Sequence, residues 1–160
     1  MFSNKHQLIR DAVAFETIGD CVVSFVGIDP RIGSLYGHSH GVSGCSIASD
    51  DRFIVSDSGD RTLKIWDVES GSLLQTLEGH QKSVSFCCIS SDNRFIVSAS
   101  YDRTLKIWDV ESGSLLQTLE CHQDSMYSCC ISSDDRFIVS ASDDRTLKIW
   151  DISNVRENTL

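Results

Sequence analysis

The sequence predicts an all-β fold of stacked four-stranded antiparallel sheets. Three observations carry that expectation: a repeat of fixed period 42, a texture of four short strands within each period, and apolar residues on both faces of every such meander.

The period comes first. Trp66, Trp108 and Trp150 align, as do His38, His80 and His122, and Asp60, Asp102 and Asp144. The stretch Arg61 to Glu78 recurs unchanged as Arg103 to Glu120, and its first seven residues recur again as Arg145 to Asp151. Within a unit the apolar and β-branched runs are Val84 to Ser90, Phe95 to Ser100, Thr104 to Val110 and Ser114 to Glu120. Turn-forming residues separate them: Ser91-Asp92-Asn93, then Tyr101-Asp102-Arg103, then Glu111-Ser112-Gly113. Leu105 and Ile107 face one side of such a sheet and Trp108 the other, so a single sheet cannot bury itself and has to stack on its like. Radial stacking makes a propeller.

At this level of detail the chain resembles the WD-repeat family, whose units run from a Gly-His pair to a Trp-Asp pair. The pairs here are Gly37-His38 with Trp66-Asp67 and Gly79-His80 with Trp108-Asp109, and the third unit carries Cys121-His122 with Trp150-Asp151. The resemblance covers Gly37 to Asp151 and implies β-propeller blades. It also implies a structural tetrad in each unit: His38, Ser56, Asp60 and Trp66; His80, Ser98, Asp102 and Trp108; His122, Ser140, Asp144 and Trp150. Ser58, Ser100 and Ser142 lie two residues further along the same strand face, so either serine of each pair could complete its tetrad. A His between a carboxylate and a hydroxyl, with an indole N–H as terminal donor, satisfies polar groups that are costly to bury alone.

Composition excludes several classes. A hydrophobic share of 41% is ordinary, and no run approaches the roughly 18 apolar residues of a membrane-spanning helix. The first ten residues have no secretory pattern, which sets a cytoplasmic expectation with the nucleus as the other choice. Seven cysteines, odd in number and mostly inside strand-like runs, read as reduced thiols. A net charge of −9 repels phosphate backbones and argues against direct nucleic-acid binding.

Chemistry at a site is weighed next. Ser, His and Asp together could be a hydrolase triad, but the trio recurs in every unit beside a Trp, where catalysis needs one accessible copy. No catalytic residue is assigned. The vicinal Cys87-Cys88 and Cys129-Cys130 point to opposite strand faces and cannot easily grip one ion. The acidic pairs Asp50-Asp51, Asp134-Asp135 and Asp143-Asp144 read as turn formers rather than calcium ligands. No metal or cofactor is expected, and nothing is assigned to the lone His40.

Near-identical copies expose the columns that were free to change: Gly41/Ser83/Ser125, Ser43/Ser85/Tyr127, Gly44/Phe86/Ser128 and Gly59/Tyr101/Asp143. In the resembling family such positions line the top face, where peptides dock. The candidate partner-binding residues are therefore Gly41, Ser43, Gly59, Ser83, Ser85, Tyr101, Ser125, Tyr127 and Asp143, with the two tyrosines as anchors. Drift at unconstrained surface positions is the competing account.

The expected division is a segment of open structure over 1–20, a degenerate half-blade over 21–36, WD repeats over 37–78, 79–120 and 121–152, the last lacking its fourth strand, and a tail over 153–160. Propellers close with about four to eight blades, so three units leave an open arc. Two readings follow: a homodimer closing a six-bladed ring, or a shortened piece of a longer WD-repeat regulatory protein. The functional expectation is a non-catalytic scaffold that docks proteins or peptides, with a propeller-framed enzyme as the rival class.

Overall fold

A computed structural model describes residues 33–120 and 122–157, and the chain divides into two units, 1–35 and 36–160. The sheets all belong to the second unit. Residues 1–20, residues 21–32 of the expected half-blade over 21–36, and Cys121 lie outside the described residues.

The first sheet is a meander of β1 (Val42–Ile47), β2 (Phe53–Ser58), β3 (Thr62–Asp67) and β4 (Leu73–Glu78). The second repeats it with β5 (Val84–Ile89), β6 (Phe95–Ser100), β7 (Thr104–Asp109) and β8 (Leu115–Glu120). The third has β9 (Met126–Ile131), β10 (Phe137–Ser142) and β11 (Leu147–Asp151), and three strands among the described residues. All pairings are antiparallel, and the runs expected in the second unit match its strands to within a residue. The architecture is all-β, as the period predicts.

Turn chemistry sets the connections. Asp51, Asn93 and Asp135 sit at φ near 60° between the first two strands of each sheet, a left-handed position that Asn and Asp tolerate. Gly71 and Gly113 hold φ of 69° and 67° between the third and fourth strands. A Cβ on Gly113 would also collide with the Gln75 carboxamide, which donates to the Ser112 carbonyl at 2.8 Å and ties the first sheet to the second.

The core lies between sheets. Val55, Leu63, Ile65 and Leu77 of the first pack on Val84, Cys87, Ile96 and Trp108 of the second. The next interface repeats the pattern one unit on, with Val97, Leu105 and Ile107 meeting Met126, Cys129 and Ile138. Where the sequence reading has only a tail, residues Ser153–Glu157 form a helical turn, α1. Ile152 and Val155 are buried in this second core cluster, and Asp151 Oδ1 caps the turn by accepting from the Ser153 amide and hydroxyl. Ile152 keeps the apolar column of Val68 and Val110, whereas Val155 is lost in a repeat-based reading because its column holds Gly71 and Gly113.

Candidate functional site

Each expected tetrad is one continuous hydrogen-bonded chain in the structure. In the first, Trp66 Nε1 donates to Ser56 Oγ at 2.8 Å, Ser56 Oγ lies 2.8 Å from His38 Nε2, and His38 Nδ1 lies 2.8 Å from Asp60 Oδ2. An indole nitrogen only donates, so the serine oxygen accepts from it and its own proton is free for His38 Nε2. That leaves the proton on Nδ1 for Asp60. The second tetrad runs Trp108, Ser98, His80, Asp102 at 2.9, 2.7 and 2.8 Å. The third runs Trp150, Ser140, His122, Asp144 at 3.1, 2.9 and 2.7 Å.

The other serine of each pair does different work. Ser58, Ser100 and Ser142 donate to the carbonyls of Gly41, Ser83 and Ser125 at 3.0, 2.9 and 3.0 Å. They thereby hold the loop leading into the first strand of each sheet.

The tetrad aspartates are held as anions. Burial pushes against this at Asp60, but the Thr62 hydroxyl, His38 and the Ser39 amide donate to its carboxylate and bring its pKa well below the usual 3.8. Asp102 is lowered likewise against its burial, by His80 and Thr104. At Asp144 the Thr146 hydroxyl is the main cause, joined by the Gln123 amide and His122. The tetrad serines are buried and already accept an indole proton, which is not the geometry of an exposed nucleophile.

At one edge of the sheets the variable columns meet in pairs. Gly59 N donates to Gly41 O, Tyr101 N to Ser83 O and Asp143 N to Ser125 O, at 2.9, 3.1 and 2.9 Å. Registers slip between Val42 and Gly44, between Val84 and Phe86, and opposite Ala141/Ser142, so Ser43, Ser85 and Tyr127 are bulge residues. A bulge re-aims a side chain, and here it turns Tyr127 outward although its neighbour Met126 is fully buried. Tyr101 and Tyr127, 40% and 51% exposed, meet edge to face with ring centroids 6.0 Å apart. The Asp143 carboxylate beside the Tyr127 hydroxyl raises its pKa, with Tyr101 and Asp124 also close. Of the nine candidate binding residues, Tyr101, Tyr127 and Asp143 thus form one exposed cluster. Ser85 and Ser83 are committed elsewhere, their hydroxyls donating to Met126 O at 2.6 Å and Gly59 O at 3.3 Å across sheet boundaries. Gly41, Ser43, Gly59 and Ser125 lie along the same edge without joining that cluster.

One residue escapes sequence reasoning. Asp57 is fully buried, and neither carboxylate oxygen has a hydrogen-bond partner in ordinary geometry. Burial raises its pKa, with the Cys87 thiol and His38 opposing weakly. Its counterparts are Ala99 and Ala141, and its cross-strand neighbour is Gly44, where the others have Phe86 and Ser128. A Cβ on Gly44 would stand 3.0 Å from Asp57 Oδ2, so the glycine makes room for the carboxylate. The paired change Gly44/Asp57 was the available signal, visible only once the register is known. Among the described residues no group of three or more His, Cys, Asp or Glu could hold a metal ion, and no helix is long and apolar enough to cross a membrane.

Residues 30–67, 71–109 and 113–151, well over half of the chain, match the family described as WD domain, G-beta repeat. The chain belongs to the WD40-repeat family. The second and third matches each begin before the fourth strand of one blade and run through the third strand of the next, so a sequence repeat straddles two sheets. Among relatives, an uncharacterised WD repeat-containing protein of Synechocystis is 50% identical over 48 residues, 29% of this chain and 14% of that protein. The small ribosomal subunit protein RACK1 of Neurospora crassa is 47% identical over 38 residues, 24% of this chain and 12% of its own length. Guanine nucleotide-binding protein subunit beta-5b of Danio rerio is 49% identical over 39 residues, 24% and 10%. The matching stretches thus amount to about one blade, a small fraction of each relative.

Proposed function

We propose that this WD40-repeat protein is a non-catalytic docking scaffold whose exposed blade edge takes a peptide of another protein, with Tyr101 and Tyr127 as anchors. WD repeats and relatives such as RACK1 and the beta-5b subunit support a protein-interaction role in general. The single observation behind the finer reading is the exposed edge-to-face tyrosine pair with Asp143 against it. Buried polar hydroxyls tie blades together, whereas these two rings project from them. Two ring faces beside the carboxylates of Asp143 and Asp124 suit a Lys or Arg side chain next to an apolar residue, through cation–π and ionic attraction. The negative charge of the chain favours the same basic partner and opposes nucleic-acid phosphates. No cofactor enters this reading, and the setting proposed is cytoplasmic, on the reading of the cysteines as thiols. The tetrads act as internal braces in it.

The test is selection of peptides from a random library on the immobilised chain, repeated with Y101A/Y127A. Enrichment of peptides pairing a basic with an apolar residue, lost in the double variant at a melting temperature within a few degrees of the parent, is the expected result. Equal enrichment of the same peptides by the variant overturns the assignment.

A further inference from the structure

The two internal blade interfaces are built from the same parts, and several of those parts recur exposed at the outer faces. On the leaving side of a blade, Leu63 and Ile65, then Leu105 and Ile107, are buried by the next blade, the second pair at 0% exposure. Their counterparts Leu147 and Ile149 on β11 are 71% and 72% exposed. On the entering side, Val84 and Met126 are fully buried, and Cys87 and Cys129 nearly so; their counterparts Val42 and Cys45 on β1 are exposed.

Polar links repeat in the same way. Ser49 N donates to Asn93 Oδ1 at 2.9 Å, and Ser91 N and Oγ donate to the Asp135 carboxylate at 2.8 and 2.6 Å. Each is a serine of one blade clasped by the left-handed turn residue of the next. Ser133 and Asp51, the two halves that would make a third such clasp, are both exposed at opposite faces. Sulfur contacts follow suit: Cys87 and Cys129 thiols point at the carbonyls of Val55 and Val97 in the preceding blade, and Cys88 lies 3.8 Å from Cys129. The corresponding pair across the outer faces is Cys130 with Cys45, both exposed.

We infer that a second copy of this chain seats on these faces, the third blade of each copy packing against the first blade of the other to close a six-bladed ring. The occupant follows from continuity with the interfaces already present. The counterparts of Val42, Cys45 and Asp51 are what the counterparts of Leu147, Ile149 and Ser133 accept inside the chain, and a copy of the chain displays the same surface. Two contacts of one kind, related by a twofold axis, cover both outer faces at once, which a single copy leaves exposed among the described residues. Six blades fall within the range of about four to eight at which propellers close. This inference is independent of the tyrosine cluster, which lies within one copy.

Light scattering on the 160-residue chain under reducing conditions, with iodoacetamide labelling of Cys45 followed by mass spectrometry, tests it. The expected mass is twice 17.8 kDa, and Cys45 labelling slows severalfold as rising concentration fills the dimer. L147K/I149K, two changes at side chains exposed in the single chain, gives a folded monomer by circular dichroism with fast Cys45 labelling. A wild-type monomer overturns the inference and leaves residues 1–32 or another protein as the cover. Open or polydisperse oligomers overturn the two-copy ring. A dimer that survives L147K/I149K, or in which Cys45 stays reactive, overturns this interface.

Discussion

Strands β7 and β11 share the run Leu-Lys-Ile-Trp-Asp, yet the first is buried along its middle and the second is among the wettest of the described strands. Leu105 and Ile107 are inaccessible to solvent; Leu147 and Ile149 keep more than two thirds of their surface in water. Local sequence is the same, so the difference lies in the neighbours: β7 is paired with β8 along its edge and has the blade of β9 against its face, and β11 has neither among the described residues. Burial in this fold is a property of the neighbour, which is how stacked repeats derive stability from their interfaces rather than from each unit alone.

The largest expected effect breaks that comparison directly. L105A lowers the unfolding free energy by about 2–5 kcal/mol, the range for removing a buried Leu side chain. L147A leaves the intrinsic stability of a single copy within about 0.5 kcal/mol and acts on association instead, so its effect grows on dilution. Chemical denaturation of both variants at two protein concentrations measures the contrast; equal, concentration-independent losses would remove it.

The tetrads give a smaller version. S98A strands the Trp108 indole N–H and the acceptor nitrogen of His80 in a fully buried setting and costs about 1–3 kcal/mol. S140A costs less, because Trp150 is only half-buried and water can replace the lost partner. Near-ultraviolet dichroism alongside the melts distinguishes loss of the brace from loss of the fold.

Asp57 sharpens the comparison inside a single interface. D57A, which restores the residue found in the other blades, raises stability, by up to about 1–3 kcal/mol if the full cost of an unpaired buried carboxyl is recovered. Because the folded-state pKa of Asp57 is raised, its unfavourable contribution is absent below the usual aspartate pKa of 3.8 and sets in as pH rises through the folded value. The gain from D57A is therefore seen at neutral pH and vanishes in acid. The tetrad aspartates, lowered from the same value, behave oppositely: their stabilisation is present above pH 3.8 and is lost as pH falls towards their folded values. Melting temperatures of parent and D57A across pH 3 to 8 read both signs; a constant difference between the two curves would count against the Asp57 assignment.

The smallest effect concerns the left-handed arginines Arg61, Arg103 and Arg145, at φ of 74°, 72° and 67°. R61G relieves a conformation costing about 1 kcal/mol for a residue with a Cβ, offset in part by the greater freedom of glycine in the unfolded chain. A gain of a few tenths of a kcal/mol in the first blade is expected from thermal melts, and a loss would show that the Arg61 side chain makes a compensating contact.

Strand positions and turns were legible in the sequence because each depends on neighbours a few residues away: alternating apolar runs, Asn or Asp at left-handed turns, Gly71 and Gly113 where a side chain would strain the backbone. The tetrad residues could be picked from the period, but not which serine joins the histidine. Ser56 and Ser58 share a strand face and only their distances from His38 and from the Gly41 carbonyl separate them. The tyrosine cluster was half legible. Tyr101 and Tyr127 stand out as column changes, while their meeting depends on a bulge in one blade facing a turn in the blade before it.

By itself, then, the sequence determined the repeat, the four-strand texture, the all-β class and the polar column of each blade, since these rest on short-range pattern and on a period that sums over three copies. Only the tertiary structure decided which of several identical side chains are buried, which turn aspartates clasp a neighbouring blade and which stay in water, and that Asp57 lies in a dry interface beside Cys87. The physical reason is that desolvation belongs to pairs of surfaces brought together, and one repeat written three times carries no mark of which copy has a neighbour.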